Sequence, residues 1–127
     1  MIRRALVCAA VLAAACSDPR PRPVPPTLRI TLDTARVTSP GQIVGTIYTA
    51  DPDGVDSLIV SLHSADDRFS DDSLFFPDNP FEEARPLRWR VPPGLASGVE
   101  IDIFARAVSY LGLGAADTAT AIVRDSI

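Results

Sequence analysis

Residues that bind metals or form disulfides are scarce in this 127-residue chain, which has two cysteines, one histidine and no lysine. Cys8 and Cys16 both lie within the first sixteen residues, so the rest of the chain cannot form a disulfide of its own. Zinc sites need several Cys or His ligands, and His63 stands outside any spacing motif of a nucleophilic hydrolase. There is also no glycine-rich phosphate loop that leads into a helix. We therefore expect a protein that is not an enzyme and uses no cofactor.

Long apolar runs are also missing. Residues 5–15 form an apolar stretch of eleven residues, whereas a membrane-spanning helix needs about 20. Arg3 and Arg4 precede this stretch, and three alanines lead from it into Cys16. A positively charged start, a short apolar run and a small-residue cleavage site are typical of a secretory signal peptide. Residues 1–15 are therefore predicted to be a signal peptide.

The residues Leu12-Ala13-Ala14-Ala15-Cys16 resemble the lipobox of bacterial lipoproteins. In that family a peptidase cuts before the cysteine, which carries a diacylglyceryl thioether and usually an N-acyl chain such as palmitate. The resemblance implies that Cys16 is the lipidated N-terminus and that the membrane is a partner through this lipid. The leucine lies one position earlier than in the family's usual pattern. Cleavage by the ordinary signal peptidase, which would leave a secreted protein with a free thiol, is the alternative.

The lipoprotein resemblance also implies a location in the cell envelope. The residue after Cys16 is Ser17, not the Asp that tends to retain such proteins in the inner membrane, which favours the outer membrane in an organism that has one. Removing residues 1–15 changes the formal net charge from −4 to −6, because Arg3 and Arg4 are lost. Nucleic-acid binding needs a basic patch, so this acidic balance argues against a nucleic-acid partner.

Residues 16–26 are predicted to be a lipidated cysteine and a proline-rich tether. Five of the ten residues that follow Cys16 are prolines, and the segment has no apolar periodicity. Such a sequence favours extended polyproline II and acts as a semi-rigid spacer of about 30 Å.

Residues 27–127 have the length of one domain and alternate between apolar and polar residues, a pattern typical of β-strands. Gly- and Pro-containing turns, such as residues 39–41 and 51–54, separate the alternating segments. We predict an all-β sandwich of about seven strands, whose two sheets bury their apolar faces against each other. Six strands are expected from the alternation and a short seventh near residues 74–76. The apolar positions that should share the buried faces are Leu28, Ile30, Leu32, Ile43, Ile47, Leu58, Val60, Leu62, Leu87, Trp89, Val91, Val99, Ile101, Ile103, Ala105 and Ala107.

Two parts of this domain resemble bacterial immunoglobulin-like domains. The first runs from Ile43 through Asp51-Pro52-Asp53-Gly54 to Leu58, and the second from Trp89 to Val123. These modules occur in secreted and cell-surface proteins as spacers, adhesion units or appendages to enzymes. The resemblance implies an immunoglobulin-like β-sandwich but no particular activity.

The segment of residues 65–84 is rich in acids and carries the four phenylalanines Phe69, Phe75, Phe76 and Phe81. One interpretation is a recognition loop with aromatic anchors and an acidic rim. The other is that the phenylalanines fold back and cover the open end of the sandwich while the carboxylates stay in water. The sequence leaves both open.

Calcium is the one metal that the composition brings into question, because it prefers clustered oxygen ligands. The weak candidates are Asp51, Asp53, Asp66 and Asp67. The dense acidic loop of a dedicated calcium site is absent, so no metal site is predicted.

The expected function is that of a membrane-anchored envelope lipoprotein. Its immunoglobulin-like domain would be a non-catalytic structural or protein-interaction module that contacts another envelope protein. The alternative is a carbohydrate-binding or adhesion module, which needs exposed aromatic side chains in a row. The candidates for such a row are Tyr48, Phe104 and Tyr110.

Overall fold

A computed structural model describes residues 22–124, which form eight β-strands. The signal peptide and Cys16 lie outside the described residues. In chain order the strands are β1 (Thr27–Leu32), β2 (Arg36–Thr38), β3 (Gly41–Ala50), β4 (Val55–Ser64), β5 (Ser70–Phe75), β6 (Glu82–Val91), β7 (Glu100–Ser109) and β8 (Gly114–Arg124).

The strands form two sheets, and the predicted all-β class with two packed sheets is confirmed. One sheet has three strands in the order β1-β3-β6, and the other has five in the order β2-β8-β7-β4-β5. Neighbouring strands are antiparallel, apart from the short parallel pair of β2 with β8. Among residues 22–124 no helix is long and apolar enough to cross a membrane.

The core lies between the sheets and follows the alternation of the sequence. Ile43 and Ile47 of β3 face Leu58, Val60 and Leu62 of β4 across the interior, and all five are buried. Burying a large aliphatic side chain stabilises the fold by about 1.5–3 kcal/mol. The sandwich therefore has an apolar core that requires neither disulfide nor metal. The other buried apolar residues are Val37, Val55, Leu87, Val91, Leu95, Ile101, Ile103, Ala105, Ala107, Ala121 and Val123.

Two strands differ from the sequence prediction. β2 is only three residues long, too short for a period of two to be visible. β5 spans Ser70–Phe75 and overlaps the short strand expected near residues 74–76. The segment of residues 65–84 therefore holds an edge strand between two short connections, followed by the start of β6, rather than one long irregular loop. β5 has one neighbour, β4, and its mostly polar sequence suits the solvent at its free edge.

Side chains close the two open sides of the sandwich. On one side, the ring of Phe75 on β5 meets the ring of Trp89 on β6 edge to face, at 6.5 Å between centroids. The guanidinium of Arg85 lies 4.8 Å from the centroid of the Phe75 ring and 3.4 Å from the Glu83 carboxylate. On the other side, the carboxylate of Asp117 on β8 accepts a hydrogen bond of 2.8 Å from the backbone N–H of Ile30 on β1. These contacts join the edges of the two sheets.

Candidate functional site

The two ends of the sandwich differ in what they carry. At one end, which we call the tether end, Arg22–Val24 lies beside the β3–β4 turn of residues 51–54 and the β7–β8 turn of residues 110–113. The opposite end, the groove end, carries the β2–β3 turn, the β4–β5 turn and the β6–β7 connection. β3 runs from the groove end at Gly41 to the tether end at Ala50.

An open apolar groove of about 800 Å³ lies at the groove end. Prolines from two connections and the ring of Phe69 form its walls, while Gln42 and Arg90 supply polar groups. Gln42 and Arg90 are cross-strand partners on β3 and β6, and both side chains are exposed. The lining residues are Pro40, Gly41, Gln42, Phe69, Arg90, Val91, Pro92 and Pro93. A groove of this volume with mostly apolar walls is typical of ligand and peptide sites.

Hydrogen bonds from two serines fix the walls of the groove. The hydroxyl of Ser39 donates to the carbonyl of Pro92 at 2.6 Å and accepts from the N–H of Leu95 at 3.0 Å. This links the β2–β3 turn to the β6–β7 connection. The buried hydroxyl of Ser64 accepts from the N–H of Phe69 at 2.9 Å and donates to Asp66 at 2.7 Å. Phe69 is therefore held in place by its backbone as well as by its contact with the core.

The Asp66 carboxylate in the β4–β5 turn has hydrogen-bond and charge partners that stabilise its ionised form. The hydrogen bond from the Ser64 hydroxyl lowers the pKa of Asp66 below its ordinary value of 3.8, and partial desolvation opposes this effect. The N–H and the positive charge of Arg68 also lower the pKa. The result is a turn that favours the ionised carboxylate.

The four phenylalanines of the predicted recognition loop fall into two pairs. Phe69 and Phe75 are partly buried and pack against the core. Phe76 and Phe81 lie in or beside the β5–β6 connection and keep 65% and 60% of their surface exposed. The two interpretations of this segment thus apply to different residues. Phe69 and Phe75 cover the core, and Phe76 and Phe81 remain exposed to a possible partner.

The acidic candidates for calcium are divided between the two ends. Asp51 and Asp53 belong to the turn at the tether end, where the buried Asp51 accepts a hydrogen bond of 2.7 Å from the N–H of Asp53. Asp66 and Asp67 lie at the groove end, and Asp67 pairs with His63 at 2.7 Å on the surface. Within residues 22–124 no group of three His, Cys, Asp or Glu side chains is placed to hold a metal ion.

The three aromatic residues proposed for a glycan platform lie on three different surfaces. Tyr48 is on the outer face of the three-stranded sheet, beside Arg29 at 5.6 Å. Phe104 is on the outer face of the five-stranded sheet, and Tyr110 is in the turn at the tether end. They do not form one row.

Of the groove residues, Phe69 belongs to the predicted recognition loop, whereas the others were not predicted as site residues. Pro40, Pro92 and Pro93 look like ordinary turn residues. Pro40 is 52 positions before Pro92 in the sequence. Only the pairing of β3 with β6 brings them together. The dipeptide Pro92-Pro93 marks a connection, but nothing local indicates that it faces Phe69.

Comparisons with known proteins add information on the fold only. No family model matches the sequence, and no curated protein is significantly similar to it. Among solved structures, the chain is similar to Spo0M, a sporulation control protein from Bacillus subtilis, with a TM-score of 0.55 and 12% identity. The similarity covers 80% of this chain and 50% of the Spo0M chain, so this chain spans about half the length of that protein. At this identity the likeness concerns the arrangement of strands alone.

Proposed function

We propose that this protein is a lipoprotein of the bacterial cell envelope, anchored through Cys16, whose sandwich is a non-catalytic protein-interaction module. The observation that carries the proposal is the position of the two functional ends. The described chain begins at the tether end, and the apolar groove lies at the opposite end. An anchor on the N-terminal side would therefore present the groove away from the membrane, where another envelope protein can reach it.

We also propose that the sandwich is of the immunoglobulin type, and the strand order supports this. In such domains strands A, B and E share one sheet while C, F and G share the other. Here β1, β3 and β6 correspond to A, B and E, and β4, β7 and β8 correspond to C, F and G. The extra strands β2 and β5 extend the second sheet at its two edges. The chain departs from antibody domains in having its tryptophan on β6 and no disulfide between the sheets.

The anchor is tested by intact mass spectrometry of the membrane fraction after expression of the full-length chain in a bacterium. The expected species begins at Cys16 and carries diacylglyceryl and acyl mass. The Cys16→Ala variant is the control and should carry no lipid. An unmodified product that begins at Cys16 would contradict the anchor and indicate a secreted sandwich with a free thiol.

The interaction role is tested by photo-crosslinking in living cells with benzoylphenylalanine at single positions. Gln42 lies in the groove, and Thr46 lies four residues further along the same strand on the same face. We expect a discrete cross-linked protein from position 42 and a much weaker one from position 46. Equal yields at the two positions, or none at either, would contradict a binding role for the groove.

A further inference from the structure

Exposed apolar side chains are concentrated at the tether end of the sandwich. Val24, Phe81, Tyr110 and Leu111 keep between 52% and 62% of their surface exposed. Val24, Leu111 and Pro52 line one cavity, Tyr110 and Phe81 lie in the neighbouring β7–β8 and β5–β6 connections, and we call these five residues the apolar tip. Apolar side chains that stand singly on a surface are ordinary, but a contiguous group of them marks a contact site.

Contacts among four separate segments make the tip one surface. The N–H of Tyr110 donates to the carbonyl of Gly54 at 3.0 Å, and the Tyr110 ring lies against Gly54 so closely that a Cβ there would be 2.8 Å from it. The carbonyl of Phe81 accepts from the N–H of Asp51 at 3.0 Å. Leu111 lines a shallow cavity together with Pro52, Val24 and the start of the described chain. The tip therefore has a defined shape that the turns hold in place.

The length of chain outside the structure limits what can cover this tip. Arg22 is six positions after Cys16, with five residues between them, and a fully extended chain spans at most about 3.3–3.6 Å per position. The lipid on Cys16 is then no more than about 22 Å from Arg22, which lies beside the tip. Arg22 itself lines the cavity beside Leu111. Because Arg22–Val24 lie against the tether end, only residues 17–21 of the predicted tether lie between the lipid and the tip, and a bilayer that holds the lipid is within reach of these side chains.

The chemistry of the tip suits the interfacial region of a bilayer. Tyrosine is enriched at the level of the lipid headgroups, and leucine and phenylalanine partition into the boundary with the acyl chains. The charged residues beside the tip include Arg22 and Asp53, which line its cavity, and Asp78 and Glu82, which lie in or next to the connection that carries Phe81. Because this rim carries both charges and is partly acidic, it would not be attracted strongly to anionic lipid. Apolar contact would therefore be the main force that holds the tip at the membrane.

We propose that the apolar tip rests in the headgroup region of the bilayer in which the Cys16 lipid is inserted. This inference depends on the anchor described under the proposed function and adds the orientation of the domain. The sandwich stands on its tether end, with its strands directed away from the membrane and the groove at the far end.

The test is fluorescence quenching by doxyl-labelled lipid in phosphatidylcholine vesicles that contain the purified full-length lipoprotein. Trp89 is the single tryptophan of the chain and lies near the groove end of β6, so the wild type gives the baseline. Tyr110→Trp places a second tryptophan on the tip. Ala96→Trp places one in the exposed β6–β7 connection at the groove end. We expect loss of emission and a blue shift for the first variant and neither change for the second.

The variants Leu111→Ser and Ile122→Ser distinguish membrane contact at the tip from an effect of removing any exposed apolar side chain. Leu111 belongs to the tip, whereas Ile122 is exposed on the outer face of the five-stranded sheet. In the Tyr110→Trp background the first should reduce the quenching and the second should leave it unchanged.

Intact mass of the same preparation distinguishes the two proposals. Lipid on Cys16 without quenching at position 110 overturns the tip contact alone and leaves the anchor, with the tip then free for a protein partner. Quenching at both positions means that the domain lies on its side and also overturns the inference. A chain without lipid overturns the anchor and the tip contact together.

Discussion

The carboxylate of Asp66 organises the turn between β4 and β5. It accepts hydrogen bonds from the hydroxyl of Ser64 at 2.7 Å and from the N–H of Arg68 at 3.1 Å. Because these bonds favour the ionised form, the pKa of Asp66 is lower in the folded than in the unfolded chain. A group of this kind stabilises the fold above its ordinary pKa, and the contribution is lost as the pH falls through the lowered value.

Asp66→Asn should therefore lower the melting temperature at about pH 6, and the difference from the wild type should shrink at about pH 2.5. Thermal unfolding followed by circular dichroism across this range measures the effect. Asp72→Asn, which removes an exposed carboxylate from β5, is the matched control for the change in charge. A difference between Asp66→Asn and the wild type that is constant with pH would show that the ionised form has no special role.

Phe75 and Phe76 are neighbours in sequence with opposite environments, which makes them a matched pair. Phe75 packs against the core and Trp89, so Phe75→Ser should destabilise the fold by about 2–4 kcal/mol. Phe76 is 65% exposed, so Phe76→Ser should change stability by less than about 0.5 kcal/mol. Chemical denaturation of both variants decides the point. Equal and large losses would mean that both rings belong to the core.

Alternation in the sequence was sufficient to predict β1, β3, β4, β7 and the second halves of β6 and β8, because each of them buries one face. It indicated only the end of β5, near residues 74–76, because Ser70, Asp71 and Asp72 face solvent at a sheet edge. Pro86 lies in the middle of β6 and would be out of place in a central strand. It is tolerated because β3 is the one neighbour of β6 in the sheet. Polarity and proline thus indicate edge strands, but they do not reveal which sheet an edge belongs to.

The β3–β4 turn depends on Gly54, which has a φ of +93° and lies against the ring of Tyr110. Gly112 has a φ of +80° in the β7–β8 turn but has open space where a Cβ would be. Gly112→Ala should cost about 1–2 kcal/mol from backbone strain. Gly54→Ala should cost about 2–4 kcal/mol, because it has the same backbone strain and its Cβ must also displace the Tyr110 ring. Urea unfolding of the two variants gives the comparison, and equal costs would argue against the ring contact.

The bond between Asp117 and Ile30 protects the free edge of β1. Asp117→Ala should leave the N–H of Ile30 without its partner and destabilise the protein by about 1–3 kcal/mol. Asp117→Asn keeps an acceptor oxygen and should cost clearly less. Thermal unfolding of the pair is the measurement. Identical melting temperatures for the two variants would mean that the hydrogen bond does not join the sheets.

At the scale of the whole molecule, the separation of the acidic residues governs the response to calcium. Asp51 and Asp53 lie at the tether end, and Asp66 and Asp67 lie at the groove end. No calcium ion can contact both pairs, and neither pair alone offers the six to eight oxygens that calcium prefers. The melting temperature should stay the same in millimolar calcium and in chelator. A rise of several degrees with calcium would require a site that these residues do not form.

The whole fold could be predicted at the level of two packed sheets, whereas the groove could not. Buried faces leave a local signature in the sequence, since Leu58, Val60 and Leu62 must all point inward. The groove depends on Ser39, Pro92 and Phe69, which come from three connections and meet only after the sheets have formed. The apolar tip has the same origin. Tyr110 was a candidate for an exposed aromatic row, but nothing in the sequence placed it and Leu111 beside Val24 and Pro52.

The opposite placement of tether and groove also determines how the domain would carry mechanical load. A partner held in the groove and a lipid held in the bilayer would pull on the sandwich along the direction of its strands. β1 is the first strand after the tether, and it pairs with β3 over all six of its residues from Thr27 to Leu32. The hydrogen bonds of an antiparallel pair are perpendicular to the strands. Such a pull would load these hydrogen bonds in shear, so that they would break together rather than one after another. The β1–β3 pair, which follows the tether directly, would then resist extension of the module.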